Sequence, residues 1–416
     1  MASQSLGGLE VGPAIPDRTL SIPPVLRSGF RPFYLAGAAF GLLVMSIWLG
    51  SFVDLSNGLL AVYSQRAWHG HEMVYGFGGA MCGGLLLTAI PSWAGTPEVM
   101  GRRLAVLVAA WGIGRVAMLL SPLIAPEVTS IADLLYFPLL TLFIAPGVWR
   151  ARNRYYRWAL PVLAAFSGGN ILFHCASIAH VEFGADLGVR VGYYSLMMLY
   201  CIVAGLLTPI FTQAWLEEKG RATTAIPIRS SLEWSAILSV LCLAIADVAD
   251  MPKPIVALLA AVATIINILR MLRWQTSKIL SSALMLPMHV GYLAFLISLI
   301  LCAISALYWP DGVSPAIHAF TIGAWGLTKF SLITRVSLKH TGRPLVVPAS
   351  MTIAFVGIGL AAIIRVVASF GVRPEILLPL AAILWMAPLA IYLSVYGLIL
   401  LRPSLPREHH PDVSSR

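Results

Sequence analysis

Apolar residues along this chain fall into runs of about 20, bounded by charge, proline and glycine, with no sustained two-residue alternation. The runs predict spans near 33–53, 69–92, 104–125, 128–148, 158–181 and 190–216, then 232–250, 254–272, 279–308, 314–337, 348–370 and 375–401. At 1.5 Å per residue each is about 30 Å long or more, enough to cross the hydrocarbon of a bilayer. The expected fold is all-α: a polytopic membrane bundle of about twelve helices. It fills 33–401, with 1–32 and 402–416 as short terminal segments. The 28 N-terminal residues carry no apolar stretch of signal-peptide length, so the first span is expected to act as its own insertion signal.

Composition sharpens this picture. Of 416 residues, 58% are hydrophobic and 11% charged, against roughly 25% charged in soluble domains, and the mean hydropathy is +0.84. A water-soluble enzyme is excluded. The net charge of +10 would suggest nucleic acid in a soluble protein, but the spans sort the basic residues by side. Twenty-one of the 28 fall on one side, and Arg66, Arg190, Lys253 and Arg373 on the other. Basic loops face the cytoplasm, so both termini are expected there, in the inner (plasma) membrane, with lipid and not nucleic acid as the surrounding partner. Arg115, Lys329 and Arg365 remain inside spans. The five cysteines lie in apolar runs without a C-x-x-C pair, which indicates packing and no thiolate metal site.

Ionisable groups inside a membrane are costly, so each is a functional candidate. His69, His71 and Glu72 start the second span, His318 lies a turn inside the tenth, His174 sits in the outer half of the fifth, and His289 falls near the middle of the ninth. One such histidine is as readily a hydrogen-bonded packing residue. Convergence from four helices instead fits haem or copper, since imidazole ligates both and a haem between helices takes axial ligands from facing helices. Residues two apart point about 200° apart on a regular helix, so His71, with Tyr75 at i+4, is the first ligand choice and His69 shares a face with Glu72 as a supporting or proton-handling pair. His71, His174 and His318 form the expected metal set, with His69 and His289 as further cofactor-binding candidates. Arg115, Arg365 and Lys329 are expected to pair with Glu72, Asp133 or Asp247, or to clamp propionates; Glu72, Tyr75, Arg115 and Arg365 are the candidate second layer or proton relay. Asn170 and Asn267 read as interhelical hydrogen-bond donors, and Pro209 and Pro287 as kinks. The spacing His71-x4-Gly76-x2-Gly79-x15-Gly95 recurs as His318-x4-Gly323-x2-Gly326-x15-Gly342, which either an internal repeat or chance recurrence of glycine would produce.

Six segments resemble the NnrS family of haem- and copper-containing membrane proteins linked to nitric oxide metabolism and denitrification. Ser28-Gly29-Phe30-Arg31-Pro32-Phe33-Tyr34 precedes the first span. Trp68-His69-Gly70-His71-Glu72-Met73-Val74-Tyr75-Gly76-Phe77 is similar to the family's W-H-x-H-E-M-x-x-G-F, and Ala89-Ile90-Pro91-Ser92-Trp93-Ala94-Gly95 to its A-x-P-x-W-x-G. Asn170-Ile171-Leu172-Phe173-His174 resembles N-x-x-F-H, His318-Ala319-Phe320-Thr321-Ile322-Gly323-Ala324 resembles H-A-x-T-x-G-A, and 334–344 resembles T-R-V-S-L-G-H-T-G-R-P. Three positions depart from the family pattern: Leu206 replaces an arginine in G-R-x-x-P, Lys329 a small or apolar residue, and Lys339 a glycine. The resemblance implies haem, with copper as a second metal, and a role in tolerating nitric oxide or handling it or a metal-bound nitrosyl product. It leaves open whether a reaction is catalysed. A proton-coupled secondary transporter without a redox centre, using Glu72 and His69 as its relay, and an assembly partner of a respiratory reductase are the competing readings.

Overall fold

A computed structural model describes residues 21–53, 62–151, 157–221, 224–309 and 315–406. Every regular element among them is helical. We label the long helices α1 (Phe30–Gly50), α2 (Gln65–Ala94), α3 (Gly101–Leu119), α4 (Pro126–Arg150), α5 (Ala159–Ile178) and α6 (Glu182–Glu218). The second half contributes α7 (Ser230–Val248), α8 (Lys253–Met271), α9 (Leu286–Tyr308), α10 (315–339), α11 (Ala349–Ala368) and α12 (Pro374–Leu401). Ten helices among the described residues are long and apolar enough to cross a membrane. The exceptions are α3 and α10, which carry Arg115 and Lys329 at buried positions. The chain is thus a polytopic helical membrane bundle.

Its hub is α2 and α6, buried over 94% and 83% of their most apolar stretches, against 33% for α12. Glycine lets neighbours approach α2 on several faces: a Cβ on Gly83 would collide with the Tyr136 hydroxyl of α4, and one on Gly76 would lie 2.6 Å from Phe40 of α1. Between α5 and α6 the contact is backbone to backbone, since a Cβ on Gly188 would sit 2.6 Å from the Phe173 nitrogen and 2.7 Å from the Gly169 oxygen. The outer helices present Ile113, Ile131, Leu142, Leu258, Ile353 and Ile363 at the surface, a composition that suits acyl chains.

Two helices are not regular. Glu72–Gly78 in α2 and Ala319–Gly326 in α10 are π-helical, each directly following a histidine of the repeated spacing, His71 and His318. The last glycine of each spacing, Gly95 or Gly342, takes a left-handed φ of +64° or +74° just past its helix. The two motifs therefore fold alike, and their shared spacing has a local structural cause. In α2 the widened turn is braced by Trp111 of α3, whose Nε1 donates to the Gly76 carbonyl at 3.0 Å.

We call the end of the bundle where α2 and α10 begin the upper end. At the lower end Arg31 donates to Leu400 O (2.8 Å), Arg402 O (2.7 Å) and Ser404 Oγ (2.9 Å), tying the start of α1 to the end of α12. Two expectations change here. Helix α9 begins at Leu286, so Pro287 occupies its first turn and kinks nothing. His289 accordingly lies near the lower end and not at mid-span.

Candidate metal and cofactor sites

The upper half of the bundle holds a buried polar network built by four helices. From α2 come His71 and Glu72, from α3 Arg115, from α4 Ser130 and Asp133, and from α5 Asn170 and His174, four residues apart on one face. Glu72 Oε1 bonds His71 Nδ1 at 2.7 Å and accepts from Arg115 at 2.8 Å, while Arg115 pairs with Asp133 on its other side. His71 Nε2 lies 2.8 Å from Asn170 Oδ1 and 3.2 Å from Asp133 Oδ2. Asp133 Oδ2 also accepts from Asn170 Nδ2 at 2.8 Å and faces His174 Nε2 at 2.9 Å, and His174 Nδ1 meets Ser130 Oγ at 3.1 Å.

This arrangement has a donor deficit. A neutral imidazole carries one donor and one acceptor nitrogen, yet both nitrogens of His71 face acceptors. Turning the Asn170 amide over would set its oxygen against Asp133, so the present orientation is the consistent one. With one arginine against two carboxylates, the cluster is one positive charge short if its histidines are neutral. An imidazolium, or a monovalent metal cation at His71 Nε2, balances both counts; a divalent ion there meets the donor deficit and leaves the cluster at a net +1. Ligand atoms of His71, His174 and Asp133 lie within 4.8 Å of one another, a two-imidazole, one-carboxylate donor set. The far nitrogen of each histidine is already held, His71 by Glu72 and His174 by Ser130, as metal-bound imidazoles usually are.

Beside this network, and opening at the upper end, lies a cavity of about 710 Å³, within the usual range for cofactor pockets. His69 of α2 and His318 of α10 line it together with Arg365 of α11, between aromatic walls that include Trp48, Phe77, Trp325 and Trp385. The Nδ1 atoms of His69 and His318 are buried without a hydrogen-bond partner. At the mouth, the hydrogen bond from Lys253 (2.8 Å) holds the Asp250 carboxyl below the usual carboxylate range.

The histidines predicted from sequence thus divide. His71 and His174 meet in the polar network, and His69 and His318 meet in the cavity. His289 joins neither, its nitrogens engaged by Thr212 (2.8 Å) and Thr276 (3.0 Å) at the lower end. Glu72 pairs with His71 and not with His69. Tyr75 packs beside His71, ring centroids 5.0 Å apart, and donates to Gly188 O at 2.6 Å. Arg115 finds the acids expected of it. Arg365 instead bonds Ser369 (2.7 Å) and Lys329 the Met81 carbonyl (2.5 Å). Asp133, read from sequence only as a charge partner, is the shared centre of the network. Arg270, counted with the basic loops, is buried between α7 and α9: it pairs with Glu233, donates to Cys201 O at 2.8 Å, and its guanidinium lies directly against Gly205. A buried cation therefore does sit beside the Leu206 departure, supplied by another helix.

The family model described as NnrS protein matches residues 24–404. No curated protein matches the chain in sequence.

Proposed function

Since the chain belongs to the NnrS family, we propose that it is a haem-binding membrane protein with a second metal site, acting in nitric oxide tolerance or denitrification-linked nitrogen oxide metabolism. The observation that carries the reading is the cavity: two partly exposed imidazoles, each with a buried Nδ1 that has no hydrogen-bond partner, on facing helices, between aromatic walls and next to a guanidinium. That chemistry suits a flat, apolar macrocycle with acidic substituents. His69 and His318 would hold the iron and Arg365 the carboxylates. Bound there, haem would supply an iron that takes up nitric oxide or transfers electrons. The network of His71, His174 and Asp133 would hold copper or another divalent ion, with Glu72 and Ser130 fixing the imidazoles and Arg115 offsetting the carboxylates. The two sites share α2, through His69 and His71. The excess of basic residues at the lower end supports a cytoplasmic placement for that end and an outward-facing cavity.

The protein purified in detergent after haem- and copper-replete expression should show a Soret band and bound metal. His69→Ala and His318→Ala should each weaken or shift that band, while His289→Ala should leave it unchanged. A folded preparation with neither haem absorption nor metal would sink the reading. Proton- or sodium-coupled solute flux in such a preparation would favour the transporter instead.

A further inference from the structure

Lys329 is an anomaly. It lies near the middle of α10, about 16 Å below His318 by helical rise, 4% exposed and with no carboxylate bound to it among the described residues. Its ammonium donates to the Met81 carbonyl and stands 5.4 Å from the centroid of the Tyr34 ring. Such a group in mid-membrane is retained for function more often than for stability.

Below it the interface of α1, α10 and α12 is lined with hydroxyls down to the lower end. Tyr34, Tyr392, hydrogen-bonded to Ser337 at 2.8 Å, and Thr334 with Tyr396 supply them. Thr341 ends the column beside the Leu405 backbone. The Tyr34 hydroxyl is buried without a hydrogen-bond partner, and those of Thr334 and Tyr396 have only each other nearby; buried polar groups in this position are ordinarily satisfied by internal water. Above, Lys329 borders a cavity of about 20 Å³ shared with Thr328, Tyr200 and Trp325, room for about one water. Tyr200 and Thr328 hydroxyls bond each other there at 3.0 Å. Trp325 also lines the large cavity of His69 and His318, so one side chain separates the column from that site.

We propose that this column is a proton route, with Lys329 as its mid-membrane relay, from the lower end of the bundle to the floor of the upper cavity. Each transfer breaks one N–H or O–H bond and forms another: a proton enters at the Thr341 end, the Lys329 ammonium releases one to the water-sized cavity, and the amine is reprotonated from the Tyr34 side. No electron moves along it. The route is independent of whether the cavity binds haem.

The test is proton flux in proteoliposomes holding a trapped pH dye, driven by a potassium diffusion potential. Wild type should exceed protein-free vesicles, Lys329→Met should lose at least tenfold of the excess, and Thr334→Val, which keeps shape and removes a hydroxyl, should lose severalfold. Thr334→Val decides the matter if Lys329→Met does not fold. Wild-type flux equal to empty vesicles, or variants equal to wild type, would overturn the route. The absorption spectrum is recorded on the same preparations: haem without flux rejects the route alone, and flux without haem rejects the cofactor reading alone.

Discussion

His71 is held between two carboxylates and an amide oxygen, all of which can only accept. Proton count, more than burial, makes this histidine a metal ligand candidate, because a cation at Nε2 removes the conflict. The supporting carboxylate then matters as much as the ligand. Glu72→Gln keeps the volume and exchanges an anion for a neutral amide beside Nδ1, and should weaken metal binding by about 10–100-fold, measured as metal bound per protein at graded free metal. Retained affinity would mean that Glu72 serves Arg115 alone. The pair Asn170 and His174 could be read from sequence, since i and i+4 share a helical face. Asp133 could not: its role depends on α4 crossing α5 at the depth of His174, and no spacing within the chain encodes that crossing.

At the level of elements, α2 and α10 carry the chemistry and depart from regular helix where they do so. The π-helical turns re-aim the residues that follow His71 and His318 by a full turn or more. The glycines after each histidine were visible as a spacing, yet only the packed structure gives their reason. Gly83→Ala should destabilise the bundle by about 1–3 kcal/mol, because the new methyl meets the Tyr136 hydroxyl that is bonded to Gly79 O. Gly112→Ala on α3, where nothing lies within 4 Å, is the control and should be neutral or slightly stabilising. Thermal melting in detergent separates the two; equal melting would mean that α2 and α4 have slack at Gly83.

Across the whole molecule, two buried arginines are paired with carboxylates on neighbouring helices. Arg115 joins α3 to α2 and α4, and Arg270 joins α8 to α7 and α6. Glu233→Ala would leave the Arg270 guanidinium without its counter-ion in the bundle and should cost about 3–5 kcal/mol, seen as lower folded yield and earlier melting. A melt unchanged from wild type would show that Cys201 O and the Tyr292 hydroxyl, 3.4 Å from the guanidinium, satisfy Arg270 unaided. The hydrophobic pattern by itself determined an all-helical membrane bundle and the approximate place of every long helix, because burial in lipid acts on each segment's own composition. It also singled out His69, His71, His174, His289 and His318 as candidates alike, since an imidazole in an apolar run is conspicuous wherever the helix ends up. Which of these meet, that His289 stands apart, and that Asp133, Arg270 and Lys329 occupy buried interfaces were decided by tertiary structure. Pairing of polar side chains depends on helix crossings, rotation and depth, and those follow from packing the helices together.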